Sequence, residues 1–307
     1  MDNHQHSHHH HAHSPAQVTN RAFALGVTLN IAFVGIEVGF GLQANSLALL
    51  ADAGHNFSDV VGLMVAWGAV VAAKQVPSER YTYGLRSSTI LAALANAMLL
   101  LIAVGGITLE AVQRIYHPAA VVETTMIWVA TAGVAVNLGT ALMLMKGHRH
   151  DINLRGAFLH MLADAAVSVG VIIGGAGMLW TGWLWLDPAI SMMIAIVIFA
   201  GTWGLLRASL RLSLHAVPSS IDLNEVMSFL QALPYVQEVH DLHIWGMSTT
   251  EIALTVHLVT PAGHPGDGVL HQLSQELEHR FAISHATIQI ELGEEGVSCR
   301  LAPEDVV

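Results

Sequence analysis

For two thirds of its length the chain alternates long apolar stretches with short polar breaks, and then the period changes. Six stretches are apolar enough to lie in lipid as helices, at about 20–43, 47–73, 86–115, 122–145, 153–180 and 184–208. Each reaches the roughly 20 residues that a helix needs to cross the hydrocarbon layer. The break at Gln43–Ser46 is short, so a tight turn joins the first two helices. Trp180, Trp183 and Trp185 flank the turn between the last two, where an interfacial aromatic belt is expected. Frequent glycine within the stretches allows close helix contacts. After HAVPSSID (215–222) the apolar runs end. DLNEVMSFLQAL predicts an amphipathic helix, VQEVHDLHIWGM and TTEIALTVHLVT two strands by their alternation, GVLHQLSQELEHRF a helix, and HATIQIEL a last strand. The expected fold class is an α-helical membrane protein with six transmembrane helices, followed by a C-terminal α+β domain of order αββαβ. Its segments are a tail at 1–19, a membrane domain at 20–210, the α+β domain at 211–292 and a second tail at 293–307. An αββαβ domain of roughly 80 residues is marginal alone and is expected to dimerise.

Composition supports lipid as the solvent. Of 307 residues, 53% are hydrophobic and 11% charged, against about 25% charged in soluble domains. Most acids follow residue 220, in the part read as soluble. The formal charge of −11, with no basic patch, excludes a nucleic-acid partner. Cys299 is the single cysteine, which rules out an intrachain disulfide and a zinc site made of cysteines alone. Lys and Arg set the topology. Arg21, Lys74, Arg80, Arg86, Lys146, Arg149, Arg155, Arg207 and Arg211 fall on one side if both termini are cytoplasmic, and only Arg114 falls on the other. The first residues lack a signal-peptide layout, so targeting is assigned to the first helix.

Twenty histidines exceed what packing needs. MDNHQHSHHHHAHSPAQVT (1–19) is low in complexity, and its His content is a compositional metal-binding signal. Gln5, Ser7 and Ala12 interrupt the run, unlike a purification tag. His148 and His150 form a smaller cluster before the fifth helix, read either as a metal hand-off point or as solvated loop residues.

The membrane helices carry the sharper signal, because ionisable residues there are costly and mark function. SLALLADAGHNFSDVVGLMVAWGAVVAA holds His55 and Asp59 four apart, hence on one helix face. NLRGAFLHMLADAAVSVGVIIGG repeats the pair as His160 and Asp164. Together they offer two imidazole nitrogens and two carboxylates, a tetrahedral set that zinc accepts. Two other readings remain open here. The four side chains can satisfy one another inside the bundle, or His55 and His160 can hold haem, which has no use for aspartates at i+4. No H-E-x-x-H stands in the chain, which removes a metalloprotease. Asp52 reads as a helix-packing or pore-mouth acid, and Glu37 as a vestibule acid or hydrogen-bonding partner.

At NSLALLADAGHNFSD (45–59), YTYGLRSSTILAAL (81–94), DINLRGAFLHMLAD (151–164) and VHDLHIWGMS (239–248) the chain resembles the cation diffusion facilitator family of zinc transporters. The resemblance runs from about residue 20 to 292. It implies a homodimer that exports divalent metal from the cytoplasm in exchange for protons, and so not an enzyme. It also implies a metallochaperone-like fold for the cytoplasmic domain. The expected place is the bacterial inner membrane, and the expected ion is zinc, both as cargo and as a structural or regulatory ion, with cadmium or cobalt as alternatives. Carried over residue by residue, the transport site falls on His55, Asp59, His160 and Asp164. A cytoplasmic site falls on His240, His257 and Glu291, with Gln289 and Asp267 at positions that resemble further ligands in some relatives. Gln289 stands where some members have a His. In the stretch where some members carry a loop site, Arg86 replaces a His, and an arginine cannot ligate zinc. A passive channel with the same lining, or a sensor that binds metal without moving it, remains as an alternative.

Overall fold

The computed structural model describes residues 15–144, 152–294 and 299–302. The histidines of the N-terminal tract, with His148 and His150, lie outside the described residues. Six long helices come first: α1 (Pro15–Ala44), α2 (Leu47–Ala73), α3 (Ser88–Tyr116), α4 (Glu123–Leu144), α5 (Ile152–Thr181) and α6 (Leu186–Ser213). Helix α1 starts inside the segment expected to be tail. Proline suits that position, because its fixed φ and missing N–H cost nothing in a first turn. Among the described residues, five helices are long and apolar enough to cross a membrane, and α1 contributes the shorter apolar run Ile31–Ala44. The C-terminal elements are α7 (Leu223–Gln231), β1 (Glu238–Gly246), β2 (Ile252–Val259), α8 (Asp267–Phe281) and β3 (Ile283–Glu291). The protein is thus a multi-span helical membrane protein with a distinct C-terminal α+β domain.

The chain divides into two compact units, Met1–Val61 with Leu99–Ala200, and Gly62–Met98 with Gly201–Val307. In the first unit Phe33, Leu49, Leu100, Met126, Val171, Met178 and Ile194 form the core. Its outside is also apolar, with Ile36, Ile102, Trp128, Ile173 and Ile196 exposed. A surface of that kind suits lipid, where backbone groups must be satisfied within each helix and side chains need no water. Small residues allow the close contacts: a Cβ on Gly133 of α4 would lie 3.0 Å from Phe33 Cζ and 3.2 Å from Ser168 Oγ.

The start of α2 is pinned by a buried carboxylate. Asp187, in the first turn of α6, accepts hydrogen bonds from Ser46 Oγ (2.7 Å), Leu47 N (2.9 Å) and Ala48 N (3.2 Å). A negative charge is favourable at those unpaired amides of a helix N-terminus. Arg114 balances it: Nη1 lies 3.8 Å from Asp187 Oδ2 and donates to Asn45 O at 2.7 Å. The anchor lies two turns before His55 and holds the axial position of the helix that carries it.

In the second unit the sheet order is β1-β2-β3, with β1–β2 antiparallel and β2–β3 parallel. The parallel pair requires a crossover, which α8 supplies. Strand β2 is central and mostly buried, and Leu254 and Leu258 join Val226, Leu230, Leu273, Leu277 and Ile283 in the core. Asp222 caps α7 by accepting from Asn224 N at 2.9 Å.

Candidate metal centres

Helical spacing puts His55 over Asp59 on α2 and His160 over Asp164 on α5, and the packing turns the two faces toward each other. The contacts between them run crosswise. His160 Nε2 lies 3.0 Å from Asp59 Oδ2 and 3.5 Å from Asp164 Oδ2. His55 Nε2 lies 3.6 Å from both Asp59 Oδ2 and Asp164 Oδ1. Each carboxylate therefore reaches both imidazoles, and the rings stand edge to face at 5.8 Å. Donor atoms of His55, His160 and Asp164 all fall within 4.8 Å of one another. Side-chain exposure is graded, from 3% at Asp164 through 20% and 26% at His55 and Asp59 to 41% at His160. The cluster thus has a closed end and an open one. His55 Nδ1 and Asp164 Oδ2 have no hydrogen-bond partner, although buried polar groups normally have one. A nitrogen-and-carboxylate set with unused lone pairs fits a divalent cation of zinc's type.

The second cluster grows from strand alternation. His240 on β1 is directly opposite His257 on β2, and His257 is opposite Gln289 on β3. With a side-chain period of two, Glu291 lies on the same face as Gln289. The Glu291 carboxylate bridges the histidines, with Oε1 3.0 Å from His257 Nδ1 and Oε2 3.4 Å from His240 Nε2. Gln289 Nε2 donates to Glu291 Oε1 at 3.0 Å, so it orients that carboxylate. Burial works against ionisation of Glu291, yet hydrogen bonds from Cys299 and Gln289 and the two histidines outweigh it and hold its carboxyl below the ordinary range. The ring nitrogens of His240, a buried residue, lack hydrogen bonds.

Two residues here escaped the sequence reading. Cys299 Sγ lies 3.5 Å from His257 Nδ1 and joins His240, His257 and Glu291 in a group whose donor atoms are all within 4.8 Å. Two nitrogens, a carboxylate and a thiol make a four-donor set of the kind found in closed zinc sites. Asp241 sits at a register shift between His240 and His243, with φ 51°. Such a bulge re-aims side chains, and Asp tolerates the left-handed region better than most residues. Asp241 Oδ1 thereby reaches His243 Nε2 at 2.9 Å and Oδ2 reaches His257 Nε2 at 3.4 Å. The only cysteine in a His-rich chain was the available signal for the first. Nothing local flagged the second. Asp267 opens α8 and is not in the cluster. Arg86 pairs with Glu251 at 2.8 Å.

An integral membrane protein with one group of metal donors between two long helices and another on a C-terminal sheet is a metal-handling membrane protein. Comparison with known proteins narrows the class. The cation efflux transmembrane domain matches residues 24–212, and the cation efflux protein cytoplasmic domain matches residues 218–292. The cation efflux system protein CzcD of Alcaligenes sp. (strain CT14) is 39% identical over 273 residues, covering 89% of this chain and 86% of that protein. The zinc transporter ZitB of Escherichia coli (strain K12) is 35% identical, with 88% and 86% covered. The cadmium, cobalt and zinc/H(+)-K(+) antiporter of Bacillus subtilis (strain 168) is 34% identical, with 83% and 84% covered. The solved metal-bound C-terminal domain of the CzcD transporter from Cuprividus metallidurans is 45% identical, covers 24% of this chain and 100% of its own, and has a TM-score of 0.22. This chain belongs to the cation diffusion facilitator family, whose members are non-catalytic ion transporters.

Proposed function

We propose that the protein is a proton-coupled zinc efflux antiporter of the bacterial inner membrane, working by alternating access from the His55/Asp59/His160/Asp164 site. The crosswise contacts between the two His–Asp pairs carry this reading. Zinc bound there exchanges two His–Asp contacts for metal–ligand bonds. Protons on the two imidazoles, whose unperturbed pKa is about 6.5, restore those contacts and neutralise the same two carboxylates. Metal and protons thus compete for one set of lone pairs. The relatives named for zinc, and for cadmium and cobalt with H(+) exchange, support the choice of ions. Six spans with both termini cytoplasmic fit the Lys and Arg distribution. The division into a tail to residue 19, a membrane domain at 20–210, a cytoplasmic domain at 211–292 and a C-terminal tail belongs to the same reading.

The cytoplasmic domain, read as metallochaperone-like, acts as the dimerisation element. Its His240, His257, Glu291 and Cys299 would hold a resident zinc. That ion would cross-link three strands to the segment that follows β3.

The test is zinc uptake into everted vesicles or proteoliposomes under an imposed pH gradient. Uptake should follow the gradient and vanish in His55→Ala. Flux indifferent to the gradient would point to a passive channel, and stoichiometric binding without flux to a sensor.

A further inference from the structure

A second polar cluster lies one helical turn from the His–Asp site and is not part of it. Asp52 is three residues before His55 on α2, and Ser168 is four after Asp164 on α5. Ser168 Oγ donates to Asp52 Oδ2 at 3.0 Å. Glu37 of α1 faces Asp52 and Asn56. All four are closed off: Glu37 and Ser168 are 0% exposed, Asp52 and Asn56 1%. Both carboxylate oxygens of Glu37, Oδ1 of Asp52 and both amide atoms of Asn56 have no hydrogen-bond partner. No basic side chain forms an ion pair with Glu37 or Asp52 among the described residues. The ion pairs of His55 and His160 go to Asp59 and Asp164. Arg114 is taken by Glu110, Asn45 and Asp187. Helix α4, which packs on α1 and α5, has no titratable residue after Glu123. The titratable groups nearest the pair are Asp164, another acid, and His55, whose ion pairs go to Asp59 and Asp164.

Two neighbouring carboxylates, both closed off from solvent and with no ion-pair partner, are not tolerated unless a cation, a proton included, compensates them. The chemistry of the donors selects that cation. Nitrogen and sulfur are missing, and oxygen-only sets suit hard ions rather than zinc. The two carboxylates, the Asn56 amide oxygen and the Ser168 hydroxyl together offer enough oxygens for any hard cation, an alkali ion or magnesium or calcium. We propose that Glu37, Asp52, Asn56 and Ser168 form a second cation site in the membrane unit, built from oxygen donors alone, that holds a hard cation, a proton or an alkali or alkaline-earth ion, and excludes the transition metal. Because α2 and α5 each contribute to both clusters, and Asp164 stands near both, a cation in this site biases the one beside it.

The test is infrared difference spectroscopy on the full-length protein in liposomes, with zinc absent. A carbonyl band of a protonated carboxylic acid that disappears in Glu37→Gln and in Asp52→Asn identifies the cation as a proton. A carboxylate response that saturates with potassium, sodium, magnesium or calcium, and is lost in the same variants, identifies the metal ion held. Spectra that show neither response, or that do not differ between wild type and both variants, overturn the site. Zinc that produces the same response in His55→Ala overturns the exclusion of the transition metal. Should the charge-removing variants not fold, Ser168→Ala removes only the hydroxyl bound to Asp52. It must shift whichever signal the wild type shows, and an unmoved signal overturns the site. The result is independent of the transport reading: loss of pH-driven zinc flux in wild type with the Glu37/Asp52 signal intact sinks the antiport and leaves this site standing.

Discussion

Asp164 and Asp59 make nearly the same contacts with the two histidines, yet they should not matter equally. Asp164 has 3% of its side chain exposed and Asp59 has 26%. Removing one partner of a buried ion pair costs about 3–5 kcal/mol, because the remaining charge stays desolvated and uncompensated. At about 1.4 kcal/mol per tenfold, Asp164→Asn should weaken zinc binding by roughly two to nearly four powers of ten. Asp59 is less buried, so Asp59→Asn should cost less, about one to two powers of ten. The assay is competition against a fluorescent zinc chelator, on purified protein whose helicity and elution volume match wild type. Zinc flux into vesicles should fall in the same order. Equal losses, or a larger loss for Asp59→Asn, would refute the argument that burial at the closed end sets the affinity.

Cobalt loaded into the cytoplasmic cluster should show a thiolate-to-metal absorption band that Cys299→Ser abolishes; a band that survives removes Cys299 from the donor set. Apparent zinc affinity should drop as pH falls through about 6.5, where protons occupy imidazoles, and a binding isotherm flat between pH 8 and pH 5.5 (both values being roughly chosen brackets of that pKa) contradicts competition at His55 and His160. The Arg86–Glu251 pair, 37% exposed at both ends, should give a coupling of only about 0.2–1 kcal/mol in a double-mutant cycle of unfolding. A coupling well above that range would mean the pair is part of a larger network.

The histidines and aspartates of the helices could be read from the chain because the helical period is local. Four residues apart means one face, whatever the helix packs against. The family resemblance, and not the strand period, points to His240, His257 and Glu291, and the pairing of β1, β2 and β3 is what brings them to one sheet face. Register is less local. The shift between His240 and His243 turns Asp241 toward two histidines, and neither its φ nor its neighbours could be inferred from VHDL alone. Cys299 lies beyond the last periodic element, where no repeat constrains the path, and only the folded chain returns it to His257.

By itself, then, the sequence determined what repeats at short range: the apolar helices, the paired His–Asp faces, the strand alternation, and the scarcity of charge that makes lipid the solvent. The tertiary structure decided the rest. It set which aspartate faces which histidine, which end of the site is closed, and that Glu37 comes to face Asp52 in a closed interior. Those outcomes depend on the axial position and rotation of one helix against another. They are set by contacts such as Gly133 against Phe33 and by the Asp187 anchor, between residues far apart in the chain, and no local period encodes them.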